Sequence, residues 1–134
     1  MIRGLAGVVA GIVAWFVVAT AGNLVLRAGW ASYAEVEKAM QFTPSMMAAR
    51  LILGVLASLG AGIAVAAVTR RNGRAAQALA TVLFAMFIPV HYALWDRFPL
   101  WYHATFLASL VVMTLLGSMF VRATPPVAGN PGSG

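Results

Sequence analysis

The sequence contains no cysteine. That excludes disulfides, thiolate catalysis, iron–sulfur clusters and thiolate-bound zinc together, and it leaves the redox compartment undetermined. Carboxylates are scarce too: Glu35, Glu37 and Asp96 are the only three in 134 residues. Charged residues of both signs make up 9% of the chain and hydrophobic ones 62%, whereas soluble domains are about a quarter charged. A water-soluble domain of this size keeps much of its surface exposed and has nowhere to hide so much apolar area. Lipid is the solvent that fits.

The charge that is present lies between apolar runs. Nine basic residues against three acidic give a formal charge of +6. In a soluble protein such an excess points to nucleic acid. Here the basic residues punctuate the apolar runs, a placement that sets topology and meets anionic head groups. Membrane lipids are therefore an expected partner, and nucleic acid is not.

Four runs carry no Asp, Glu, Lys or Arg: Gly4–Leu26, Leu51–Val68, Ala75–Trp95 and Leu100–Val121. About 20 apolar residues cross a ~30 Å hydrocarbon core as a helix. The second run, the shortest, starts earlier, because Thr43-Pro44-Ser45 reads as an N-cap followed by proline at the first helical position. That places the spans at about 4–26, 44–68, 75–95 and 100–121 of a 1–122 domain. Arg50 then falls in the opening turns of the second span, with its stem snorkelling to the head groups. A signal-peptide reading of the first run would use Arg3 and a cleavage site at Ala19-Thr20-Ala21. The apolar run continues past that site to Leu26, which favours an uncleaved helix. The proline- and glycine-rich tail, 123–134, has no core-forming pattern and reads as disordered.

Arg70, Arg71 and Arg74 crowd the short turn after the second span, on the same side as Arg3 and Arg122. Short loops are where the positive-inside rule operates, so both termini are expected in the cytoplasm of a bacterial cell, with the chain in its inner membrane. On the opposite side, Ser32-Tyr33-Ala34-Glu35 fits a capping box. Tyr33, Val36 and Met40 follow at helical spacing, as in a short amphipathic helix on the outer face. Trp30, Tyr33, Tyr92, Trp95, Trp101 and Tyr102 read as an aromatic belt at that interface. Leu56-Ala57-Ser58-Leu59 recurs as Leu107-Ala108-Ser109-Leu110. If the echo is a true repeat, two helical hairpins are related by an axis along the membrane normal.

Small residues mark where helices can approach closely. Gly7 and Gly11 form one such stripe; Gly54, Ser58 and Gly62 form another. In lipid, packing of these stripes replaces the hydrophobic effect. They can serve the bundle itself or dock a second copy or another membrane subunit.

Ionisable groups inside a membrane are functional candidates by default. His91 and His103 are each six residues from Arg97, on opposite arms of the turn between the last two spans. Antiparallel arms put them at one depth. Two imidazoles at one level can ligate haem or a metal, or bind a quinone carbonyl, if they face each other; a metal would want further ligands. Pro89 frees the carbonyl of Ala85 and opens the bundle near His91. Asn23, Arg27, Arg50, His91, Asp96 and His103 together outline a candidate polar pocket on the outer side, and Arg70, Arg71 and Arg74 a candidate head-group contact. The alternative is an interfacial network that only pins helix ends.

Several four-helix activities are excluded. Small multidrug antiporters need a carboxylate within the membrane, and vitamin K reductase needs cysteines. A rhomboid-like protease needs more helices and a glycine-framed serine. The stretch Leu94-Trp95-Asp96-Arg97-Phe98-Pro99-Leu100-Trp101-Tyr102-His103 resembles a segment of small four-helix bacterial membrane proteins over the last two spans; this implies the architecture and no activity. The expected fold is all-α: an integral membrane, up-down-up-down four-helix bundle with a short outer interfacial helix. The expected function is that of a non-enzymatic subunit or oligomer with a lipid or small-amphiphile pocket. Haem, metal or quinone binding at His91 and His103 is the second reading, and a minimal oligomeric transporter the third.

Overall fold

The computed structural model describes residues 1–121; Arg122 and the tail expected to be disordered lie outside them. Five helices follow in order: α1 (Ile2–Gly29), α2 (Ala31–Glu37), α3 (Pro44–Thr69), α4 (Gly73–Ala93) and α5 (Leu100–Met119). Four of them, all but α2, are long and apolar enough to cross a membrane. Within the most apolar 18-residue stretch of each, only 17% to 39% of residues are buried in the bundle. The remainder faces outward, and it is apolar: Val9, Val13, Val17, Ile52, Leu56, Ile63, Met86, Val112 and Leu116 are all exposed. Water would not tolerate such an exterior over the whole length of the bundle. This is a multi-pass membrane protein.

Helix ends follow local chemistry. Thr43 caps α3, its hydroxyl accepting from the Met46 amide at 3.4 Å, with Pro44 at the first helical position. Asn72 caps α4, its side chain accepting from the Arg74 amide at 3.0 Å. Between them the chain reverses through Arg70 and Arg71, whose φ angles are 55° and 66°. Both amides return to the Ala66 carbonyl, a helix ending that glycine usually serves. Left-handed conformations cost non-glycine residues about 1–2 kcal/mol each, so the two arginines hold this turn at a conformational cost. α1 runs beyond its apolar segment at both ends because nothing there breaks a helix; it stops only at Gly29-Trp30. α4 continues unbroken through Pro89 to Ala93.

Glycine contacts give the directions. Near its start, Gly7 of α1 faces Val65 and Thr69 at the end of α3, and Gly22 faces Leu53, so α1 and α3 are antiparallel. Gly54 meets Phe106, and Gly62 meets Thr114 and Ser118: α3 and α5 run parallel. The chain thus passes up, down, up and down. α3 packs most extensively on α1 and α5, while α4 lies mainly against α5. Consecutive α3 and α4, despite their tight turn, are not close neighbours along their length.

Both small-residue stripes are used inside the bundle. Gly7, Gly11, Gly54, Ser58 and Gly62 are all buried within the single chain. A Cβ at Gly62 would stand 2.1 Å from the Thr114 carbonyl oxygen, and one at Gly117 would stand 2.3 Å from that of Leu59. The α3–α5 crossing therefore brings backbone against backbone. Around it lies the central core of Trp15, Ala57, Ala61, Val65, Leu79, Leu83, Phe106 and Leu110. The echoed tetrads do not occupy equivalent places: Ala57 and Ser58 are buried, whereas Ala108 is exposed and Ser109 half-buried.

The α2 end of the bundle departs from three expectations. First, the capping box does not form. α2 begins at Ala31, which puts Ser32 inside the first turn, and Trp30 caps the helix without a side-chain bond. Second, α2 folds onto the bundle: Tyr33 is wholly buried in a cluster with Phe42, Met46, Phe98 and Tyr102. Third, the aromatic belt is split. Tyr92, Trp95 and Trp101 are exposed, but Tyr33 and Tyr102 turn inward, toward Arg50.

Candidate functional site

Arg50 is the organising residue at this end. It enters from the second turn of α3 and does not snorkel outward. Its Nη1 donates to the Tyr33 hydroxyl at 2.8 Å and its Nε to the Tyr102 hydroxyl at 3.4 Å. Its guanidinium carbon lies 4.7 Å from the centre of the Phe42 ring, within cation–π range. A half-buried cation needs such partners. All three are neutral.

A further set of polar groups joins α1 to α2. Asn23 and Arg27, one helical turn apart on α1, both reach Glu37. Asn23 donates to Glu37 Oε1 at 2.8 Å and accepts from Tyr33 at 2.7 Å. Arg27 pairs with Glu37 Oε2 through Nε. Burial pushes the Glu37 carboxyl up, but these hydrogen bonds and the charges of Arg27 and Arg50 outweigh it and hold the group below the usual carboxylate range.

Beneath this network a cavity of about 410 Å³ opens between the helices. Asn23, Arg27, Glu37, Arg50 and Tyr102 form its mouth, and Trp15, Phe16, Leu53, Phe87 and Phe106 its floor. Along α1 the lining changes from Arg27 and Asn23 to Phe16 and Trp15, from charged to aromatic. The floor is stiffened by a hydrogen-bond relay. Trp15 Nε1–H donates to Ser58 Oγ at 3.1 Å, and Ser58 in turn donates to the Gly54 carbonyl at 2.7 Å. Trp15 also packs against Phe87, ring centres 4.6 Å apart.

The two histidines meet. Nδ1 of His91 and Nδ1 of His103 are 2.6 Å apart, and both residues are buried. His103 Nε2 also donates a long hydrogen bond, 3.4 Å, to the Trp95 carbonyl, and its ring stacks on the Trp95 indole at 5.0 Å. With both rings neutral, that bond sets the tautomers. His103 carries its proton on Nε2 and accepts through Nδ1, so His91 is the Nδ1 donor. The arrangement is a hydrogen-bonded dyad. Two nitrogens on opposite sides of one metal ion stand about 4 Å apart, twice a bond of ~2.0 Å; the two Nδ1 atoms are closer than that and bond to each other instead. No cluster of three or more His, Cys, Asp or Glu occurs among the described residues.

Of the six residues read as a pocket, Asn23, Arg27 and Arg50 line the cavity. His91 and His103 sit behind its wall, the His91 ring 4.7 Å from Phe106 and 6.3 Å from Tyr102. Asp96 joins neither group: it is exposed, and its neighbour Arg97 instead donates to the Ala39 carbonyl at 3.0 Å. Sequence reasoning missed Glu37, Tyr33 and Tyr102. The scarcity of carboxylates was a usable signal for Glu37. The tyrosines were hidden by their resemblance to belt residues. Arg70, Arg71 and Arg74 are exposed at the opposite end, as a head-group contact requires.

Comparison with known proteins returns no matching family model, no similar curated protein and no similar solved structure.

Proposed function

We propose that this protein is a non-enzymatic membrane protein whose cavity takes up an amphiphile from the bilayer. The observation that carries the reading is the polarity gradient of the cavity: charged groups at the mouth, aromatic and aliphatic side chains below. Its volume falls in the range of small-ligand sites, and the exposed Phe16, Thr20 and Leu24 of α1 line it, so an acyl chain can enter sideways without crossing water. The small-residue stripes are engaged internally, which favours a self-contained binding unit over an assembly built on those faces. The arginine-rich end, with Arg3, Arg70, Arg71 and Arg74, supports placing the termini on the cytoplasmic side of a bacterial inner membrane. The cavity mouth then opens toward the outer leaflet.

Mass spectrometry of extracts from the purified chain tests the binding. A defined amphiphile should copurify at about one per protein. Ala19→Phe, which fills the cavity from a half-buried position on α1, should abolish it while leaving the helical circular-dichroism signal intact. Equal lipid content in both proteins would refute the pocket. A reporter inserted at Asn72 tests the orientation; a signal from the outer side would reverse it.

A further inference from the structure

Arg50 has no carboxylate partner. The one ion pair among the described residues is Arg27–Glu37, while Arg50 is held by two tyrosine hydroxyls and an aromatic face. A guanidinium has five N–H donors in a planar fork. The tyrosines take two, at Nη1 and Nε, and the residue lines the cavity mouth. Glu37 feels the Arg50 charge but bonds to Arg27 instead, and a partly desolvated cation with no carboxylate in direct contact favours an anion, its fork geometry matching the oxygens of phosphate or carboxylate. Counting the mouth as a whole, two arginines face one glutamate. The local field is positive.

We infer that the cavity selects an anionic membrane lipid, seating its phosphate or carboxylate head group on Arg50, and that Glu37 weakens this binding by occupying Arg27. The inference rests on the amphiphile-binding reading above and adds the ligand class. A lipid is favoured over a free anion because the apolar floor lies directly beneath Arg50 and stays unfilled by an inorganic ion. Glu37 is an internal competitor. Its carboxylate neutralises Arg27 and repels a second anion at the mouth. Removing its charge without removing its hydrogen-bonding oxygen leaves both cations to the ligand.

The test uses the full chain in a neutral detergent, titrated with lysophosphatidylglycerol or lysophosphatidylcholine and read by native mass spectrometry. The anionic lipid should bind about fivefold or more tightly than the zwitterionic one, the size expected of one poorly screened charge contact. Arg50→Gln should erase that preference, and Glu37→Gln should strengthen anionic binding by a similar factor. Excess inorganic phosphate should displace little of the lipid. Equal binding of the two lipids, or weaker anionic binding in Glu37→Gln, would overturn the anionic assignment while leaving the amphiphile pocket standing. Binding of neither lipid would remove the pocket itself. Tight binding of phosphate alone would make the ligand a free anion. Circular dichroism of each variant separates loss of binding from loss of fold: if Arg50→Gln unfolds, Arg50→Lys keeps the charge without the fork and should still reduce the preference.

Discussion

Gly62 and Gly60 lie two residues apart on α3 and should respond to the same substitution with opposite sign. A methyl at Gly62 would come 2.1 Å from the Thr114 carbonyl oxygen and 2.7 Å from the Ser118 amide. Both are backbone atoms, so no rotamer change relieves the clash; α3 and α5 must separate by roughly an ångström. A gap of that size forfeits about a quarter to a half of each contact's ~0.1–0.2 kcal/mol. Over about 40 atom pairs along this crossing the loss is about 2 kcal/mol, in line with the 1–3 kcal/mol typical of overpacking. Alanine's better helix propensity returns up to about 1 kcal/mol, leaving Gly62→Ala destabilised by about 1–2 kcal/mol. At Gly60 the new methyl meets only Val18 Cγ2 at 3.4 Å, an ordinary contact. Gly60→Ala should therefore be neutral or stabilised by up to about 1 kcal/mol. Unfolding in mixed micelles by titrated dodecyl sulfate, followed by far-ultraviolet circular dichroism, measures both. Were Gly62→Ala as stable as Gly60→Ala, the close parallel crossing of α3 and α5 would be wrong.

Other outcomes follow from the polar groups. Ser58→Ala leaves the buried Trp15 N–H without its acceptor and should cost about 1–2 kcal/mol; the same micelle titration reads the loss, and in a Trp15→Phe background the substitution should cost much less. His103→Phe strands the Nδ1–H of His91, so each single histidine replacement should destabilise more than the double replacement His91→Phe, His103→Phe. A double replacement costing as much as the two singles together would argue that the dyad is not a hydrogen-bonded unit. Glu37 has a depressed pKa in the folded chain, so its contribution to stability is fully present above the ordinary carboxylate pKa and is lost as pH falls through its lower folded value. Thermal stability should drop in that acidic window, and Glu37→Gln should be flatter there; identical pH profiles would mean the α1–α2 clasp contributes nothing.

Much of the architecture was legible in the chain. Hydrocarbon demands about 20 apolar residues per crossing and satisfied backbone polar groups, and those demands are written as composition. Four charge-free runs therefore gave four helices, and the Thr43-Pro44 start of α3 was readable because capping is local chemistry. The failures were equally physical. The Ser32–Glu35 box looked sufficient in isolation, but α1 runs to Gly29 and leaves a single residue before α2. Tyr33 and Tyr102 carry the same side chain as a belt tyrosine, and only the position of Arg50 distinguishes them.

The sequence by itself determined the solvent, the number of crossings and the alternation of their direction, because each depends on the length and polarity of a continuous segment. Tertiary structure alone decided which helices touch. It turned Gly62 and Gly117 into a backbone contact, brought Nδ1 of His91 to Nδ1 of His103, and bonded Arg50 to tyrosines while Glu37 paired with Arg27. Those outcomes depend on helix rotation about its own axis and on neighbour order in the bundle. A one-dimensional pattern of apolar residues constrains both weakly when every outward face is apolar as well.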